Sequence, residues 1–314
     1  MHIKPFKALT PELDLIKSVD TFFSTVKMEF PKYNEAGFFK TEAKEAFYIY
    51  KISEGNHSYT GILNSSSVED YKNGLIKKHE KTISVKEQQQ LSLLLHRKAI
   101  VKPVLLTYPK VDSIDQFTKN ITNEREPIFS IHFDRDKQQH EIWLIDNVEE
   151  IQTLEQLFLE HVHCAYIADG HHRTAAAFNV GKLRKQRALD AGLEVTGEEP
   201  FNYFMTLFYP ADNLLILDYN RVLKSLNDMS TDDFLSALEE NFTIRPLADG
   251  ETSQVKARHN YSLFINNKWH VMAVKPEKID FSTPVTKRRT SPRGPKKFVI
   301  VSQRLISLLS KSLL

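Results

Sequence analysis

The residues best suited to chemistry in this chain are gathered in Tyr166-Ile167-Ala168-Asp169-Gly170-His171-His172-Arg173-Thr174-Ala175-Ala176-Ala177. An apolar run stops at Asp-Gly, crosses a polar turn and enters an alanine-rich segment. The pattern predicts a buried strand ending at Ala168, a tight turn at Gly170 and a helix opening by Ala175. The first turn of a helix presents amide N–H groups without intrahelical acceptors and a partial positive charge, which suits an anion. Arg173 adds a planar guanidinium able to pair with a phosphate through two parallel hydrogen bonds. His171, His172 and Asp169 supply groups that can position a proton, a hydroxyl or a metal ion. The same residues also read as an ordinary strand-to-helix connection, with Asp169 as a cap and the histidines solvated.

A second polar stretch, Gly74-Leu75-Ile76-Lys77-Lys78-His79-Glu80-Lys81-Thr82, holds a complementary set. Glu80 offers a carboxylate that can orient an attacking hydroxyl, Lys81 a point charge for a phosphate, and His79 or His172 a proton carrier. Its plain reading is a loop that caps the helix starting near Val85. Arg221 follows a predicted strand and is a further phosphate or carboxylate candidate, with a surface ion pair as its plain alternative. A rival enzyme reading gathers His161, His163, His171, His172 and Asp169 into a metal-dependent hydrolase, because His161 and His163 would share one side of a strand. No HExxH pattern supports it, and Cys164, at the start of the apolar run, reads as a small core residue.

The elements that must position these groups follow from periodicity. Helices are predicted over 12–26, from 66, and over 85–99, 113–121, 148–160 and 231–240. Strands are predicted over 47–52 and 59–64 as a hairpin about Glu54-Gly55-Asn56, over 104–108, over 128–133 and 141–145 as a second hairpin, and over 201–209 and 214–217. Strand 242–245 and the hairpin 261–265/269–274 about Asn266-Asn267-Lys268 close the pattern. The order is mixed α/β with mostly antiparallel neighbours, which differs from a regular doubly wound sheet. Neither GxGxxG nor GxxxxGKS/T occurs, so the two commonest nucleotide-binding loops drop out.

The whole chain has 314 residues, 26% charged and 41% hydrophobic, with a formal net charge of +2. That balance gives no reason to expect nucleic acid as a partner. One cysteine rules out an intrachain disulfide and fits a reducing compartment. The charged, proline-broken N-terminus lacks the apolar centre of a signal peptide, and no apolar run approaches the ~20 residues that cross a bilayer. A cytoplasmic protein without a membrane partner is expected.

Four pieces of sequence resemble the bacterial and archaeal family known as domain of unknown function, family 1015. They are Ile3-Lys4-Pro5-Phe6-Lys7-Ala8-Leu9, Tyr71 with His79-Glu80-Lys81-Thr82, His140 with Trp143, and Tyr166 to Arg173, in the family's order over about the first 220 residues. That family looks like a distant relative of the ParB-like and sulfiredoxin-like superfamily, whose compact α/β domain binds nucleotide phosphates at a helix-opening turn ending in arginine. The superfamily includes kinases of free serine that use ATP or ADP.

The resemblance implies a mixed α/β fold, with a ParB-like core within residues 1–190 and a second α/β part over 200–284; the residues that follow, 285–314, form a basic tail. It implies nucleotide binding by Gly170, His171, Arg173, Lys81, His79 and Arg221, with Glu80, Asp169 and His172 catalytic and Asp169 a ligand for Mg²⁺. A phosphotransferase acting from ATP or ADP on a small hydroxyl compound such as serine is the implied activity; a nucleotide-sensing or partner-binding module without turnover is the non-enzymatic alternative. Two departures stand out. The family's Pro-Pro-Tyr-Asp-Val segment has no counterpart in 12–30, and its Pro-Lys-Ser-Thr element near the C-terminus is replaced by a stretch with eight Lys or Arg and no acid from Lys287 onward. A truncation or frame shift after about Pro284 is the expectation for that stretch, a poorly packed tail its structural consequence, and a basic nucleic-acid arm its functional alternative.

Overall fold

The computed structural model describes residues 1–279 except 81, 215, 216, 220, 221, 224, 255, 256 and 258, together with 303–305. The chain divides after residue 215 into a unit holding Met1–Leu215 and a unit holding Ile216–Ile306. Both are mixtures of helix and strand, as periodicity predicts.

In chain order the first unit holds β1 (Ile3–Lys4), β2 (Leu9–Pro11), α1 (Val19–Glu35), β3 (Phe39–Thr41), β4 (Phe47–Glu54) and β5 (His57–Ser67). Next come α2 (Val68–Lys72), β6 (Ile76–Lys77), α3 (Ser84–Arg97), β7 (Val104–Tyr108), α4 (Asp112–Glu124), β8 (Phe129–Phe133) and β9 (Gln138–Ile145). The unit ends with α5 (Val148–His161), β10 (Ala165–Asp169), α6 (His171–Asp190) and β11 (Tyr203–Pro210). The main sheet has the order β6-β10-β7-β11-β5-β4-β9-β8, with β1 added on β5. Two neighbouring pairs, β6/β10 and β7/β11, are parallel, and the other pairs are antiparallel.

One face of this sheet carries Phe47, Ile49, Ile62, Leu106, Ile167 and Phe208, which pack against Ile114 and Ile121 of α4 and Leu154 and Phe158 of α5. Every residue of β7 is buried, which is why its sequence is a continuous apolar run without alternation. The first predicted helix needs correction. Leu13–Leu15 form only a 3₁₀ turn, and the helix begins at Val19, where the Ser18 hydroxyl accepts the Thr21 amide. It then runs past residue 26 to Glu35, and the non-helical dihedrals of Glu29 just before Pro31 absorb the missing amide of the proline.

The boundary expected near residue 200 also moves. Strand β11 lies between β7 and β5 in the main sheet, so it belongs to the first unit, and the division falls after it. The strand predicted over 214–217 overlaps the observed β12 (Leu217–Tyr219) only at Leu217. The second unit continues with α7 (Thr231–Glu239) and the antiparallel sheet of β13 (Phe242–Pro246), β14 (Asn260–Ile265) and β15 (Lys268–Val274), in the order β13-β15-β14. Asn266 and Asn267 turn the β14/β15 hairpin with φ of 49° and 58°, the left-handed values that a two-residue hairpin turn requires. Phe234 of α7 packs with Tyr261, Leu263 and Met272. The basic tail expected over 285–314 lies outside the described residues apart from β16 (Gln303–Leu305). Among the described residues no helix is long and apolar enough to cross a membrane.

Candidate functional site

Parallel pairing of β6 with β10 sets the site. Ile76 faces Ala165 and Lys77 faces Tyr166, so both strands run out at the same end of the sheet. One strand there delivers His79 and Glu80; the other delivers Asp169, Gly170 and the opening of α6. The two polar stretches, about ninety residues apart in sequence, therefore meet.

Gly170 makes the turn with φ of 107°, a conformation that disfavours any side chain. Space is tight as well, since a Cβ at Gly170 would lie 3.0–3.2 Å from the Arg173 guanidinium, which would have to shift. The Gly170 carbonyl accepts the Thr174 amide at 2.9 Å and the Thr174 hydroxyl at 3.1 Å, closing the first helical turn. The amides of His171, His172 and Arg173 precede that first bond and have no acceptor within the helix.

His171 is the hinge between the two stretches. Its side chain is only 4% exposed, and its ring meets that of His79 edge to face at 4.4 Å. Nε2 accepts the His79 amide at 3.5 Å, which puts the ring proton on Nδ1, 3.6 Å from Glu80 Oε2. Burial pushes the His171 pKa down to about 4, helped by His79 and His172 and opposed by Asp169. The imidazole is therefore neutral at pH 7, and its contact with Glu80 is a neutral donor facing a carboxylate rather than an ion pair. Burial lowers the His79 pKa too, against the pull of Glu80. Glu80 itself is half-exposed, and His172 Nδ1 is buried without a hydrogen-bond partner.

Arg173 is committed to the protein. It pairs with Asp169, donates to the Pro103 carbonyl and reaches the Lys102 carbonyl at 3.3 Å. Burial lowers its pKa and Asp169 opposes the shift, so the guanidinium stays charged while it ties the opening of α6 to the start of β7. Lys102 is the residue that sequence reading missed. Burial, then Arg173 and Lys27, lower its pKa while Asp169 raises it, and no spacing pattern in the sequence links it to the site.

The remaining candidates fall elsewhere. His161 ends α5 instead of starting a strand, because the helical period of 148–160 extends one residue further and only Val162 turns inward. Its ring lies 3.8 Å from Glu160, and His163 is exposed after the helix end, so the strand that would have set both histidines on one side as metal ligands is absent. Among the described residues no group of three His, Cys, Asp or Glu is arranged to hold a metal ion. Cys164 is half-buried beside the Tyr166 hydroxyl at 3.9 Å. Lys81 and Arg221 lie outside the described residues.

His140 and Trp143, which share a hairpin, are structural. Trp143 Nε1 donates to the Arg125 carbonyl at 2.9 Å. His140 joins a chain of hydrogen bonds from Tyr50 through Gln138 to Glu54. No curated protein and no solved structure matches the chain. Residues 4–292 match the family described as protein of unknown function (DUF1015), which covers both strand ends that build this site, and the chain belongs to that family.

Proposed function

We propose that the opening of α6 binds the phosphate of a nucleotide, ATP or ADP, and that the site transfers a phosphoryl group to a small hydroxyl compound such as serine. The observation that carries this reading is the seating of the His79-Glu80 stretch on His171, which brings a half-exposed carboxylate to the amide-rich end of a helix. Phosphoryl transfer needs positioning and charge neutralisation more than covalent chemistry, and these two features supply an anion seat and a group to orient a hydroxyl.

In this reading the amides of His171, His172 and Arg173 receive the phosphate oxygens. Glu80 accepts the proton of the acceptor hydroxyl as its oxygen bonds to the terminal phosphorus and the bridging oxygen departs with the nucleotide. His172 Nδ1, lacking a protein partner, is the second proton-handling atom. Lys81 completes the set as a point charge. For Mg²⁺, Asp169, the expected ligand, has its Oδ2 taken by Arg173. Bound with the nucleotide, Mg²⁺ would supply neutralisation of phosphate charge.

Calorimetric titration of the full chain with ATP and ADP, with and without Mg²⁺, tests binding. Glu80→Gln preserves size, so retained binding with turnover toward serine and related hydroxyl compounds lowered by about 10² is the expected result. Unchanged turnover would remove Glu80 from the reaction, and binding without turnover in the wild type would assign the site to nucleotide sensing.

A further inference from the structure

We infer that His171 is a positioning residue whose side chain docks the strap His79-Glu80 beside the opening of α6 and aims the Glu80 carboxylate, instead of contacting the ligand itself. The inference rests on the phosphoryl transfer proposed above and names the part that joins the two halves of its site.

The strap has little else to hold it. Pairing of β6 with β10 ends where Lys77 faces Tyr166, and α3 begins only at Ser84. Among the described residues no backbone-to-backbone hydrogen bond outside that ladder fixes residues 78–80. Lys78 leads into the strap with its ammonium 5.3 Å from the centre of the Tyr71 ring, a contact that a flexible four-carbon stem can keep through several loop positions. The contacts of His79 and Glu80 go to His171. The His79 amide donates to Nε2 at 3.5 Å, the two imidazoles meet edge to face at 4.4 Å, and Glu80 Oε2 stands 3.6 Å from Nδ1.

On its own side His171 is fixed. Its side chain is 4% exposed, and it opens a helix whose first turn is closed by the Thr174 amide and hydroxyl on the Gly170 carbonyl. Glu80, by contrast, is 52% exposed. The ring also has no capacity to spare. A neutral imidazole offers one acceptor and one donor; the acceptor takes the His79 N–H, which leaves Nδ1–H turned to Glu80. A phosphate at the head of α6 therefore finds the backbone amide of His171 and not a free ring nitrogen. Seating the phosphate and aiming the carboxylate become separable: the amides keep their place whatever the side chain at 171, whereas Glu80 is in place only in the fraction of molecules with a docked strap, and the rate scales with that fraction.

Amide exchange and turnover, measured on the full chain, test the assignment. By NMR the wild type should show slow exchange at the His79 amide and ring-to-ring contacts between His79 and His171, and it should transfer phosphate from ATP to serine. His171→Leu, which removes both ring nitrogens, should speed His79 exchange and lower kcat, each by about tenfold or more, with the Kd for ATP kept within about twofold. The two amide variants separate the two nitrogens. His171→Gln carries its amide near the Nε2 position and should keep the His79 N–H better protected than in His171→Leu; His171→Asn carries it near Nδ1 and should regain part of the lost kcat. Wild-type kcat in His171→Leu would overturn the positioning role and leave the proposed function standing. An ATP affinity that falls in step with kcat would overturn it by making the ring a ligand contact, as would amide variants no better than His171→Leu or fast His79 exchange already in the wild type. A wild type without turnover would remove the proposed transfer and the positioning role together, a result read before any variant is made.

Discussion

Two buried histidines of the first unit, His140 on β9 and His171 at the head of α6, share one physical condition and differ in what surrounds them. Burial takes both from an ordinary 6.5 to about 4, so both are neutral at pH 7. Around His140 each polar atom is used internally. The Tyr50 hydroxyl donates to Nδ1, Nε2 donates to Gln138 Oε1 at 3.2 Å, and Gln138 Nε2 donates to Glu54 Oε2 at 3.1 Å. Around His171 the network stays open, with a half-exposed Glu80 and a His172 Nδ1 that is buried without a partner. A closed network rigidifies a sheet; an open one is where a ligand can supply the missing partners.

Acid is the strongest way to test the shared half of that comparison. Each histidine has its folded pKa depressed, so between about 4 and 6.5 the unfolded chain binds more protons and stability rises with pH. The contribution is complete above 6.5 and is lost as pH falls toward 4, up to about 3 kcal/mol for each group. Urea unfolding at a series of pH values should show this slope, and His140→Phe and His171→Asn should each remove part of it. A flat profile in the wild type would mean that neither ring is held neutral by burial.

Next in size is Arg173→Ala, which leaves Asp169 and two carbonyls without their donor and should cost about 3 kcal/mol in unfolding free energy. A loss below about 1 kcal/mol would free the guanidinium for a ligand. His140→Leu should cost about 2 kcal/mol, since it strands the Tyr50 hydroxyl in the core. The corresponding His171→Leu should cost less, under about 1 kcal/mol, because its Nε2 contact is long and Glu80 can turn to water. Equal losses would erase the distinction between the closed and the open network. Smallest of all, Glu80→Gln should change stability by no more than about 0.5 kcal/mol while reducing turnover, the mark of a carboxylate placed for chemistry.

The strand-turn-helix from Ala165 to Asp190 could be read from the sequence because each of its parts is local: an apolar run, a glycine for a left-handed turn, then alanines at the helix opening. The hairpins were legible for the same reason, through turn residues such as Gly55, Asn266 and Asn267. The first helix was predicted over 12–26, but the chain around Leu13–Leu15 makes only a 3₁₀ turn and a bend at Glu29 lets the helix run past Pro31 to Glu35. His161 was assigned to a strand because alternation over three residues cannot be told from the end of a helix.

The sequence by itself determined that Asp169, Gly170 and the residues after them end a strand and open a helix, because those preferences reside in neighbouring side chains and backbone sterics. Only the tertiary structure decided what that turn meets. Parallel pairing of β6 with β10 delivers Glu80 to His171, and insertion of β11 between β7 and β5 moves the division of the chain past residue 200. It also turned Arg173 toward Asp169 and the Pro103 carbonyl. Strand partners and charge neighbours are chosen by packing between segments far apart in sequence, and no local pattern in the chain encodes that choice.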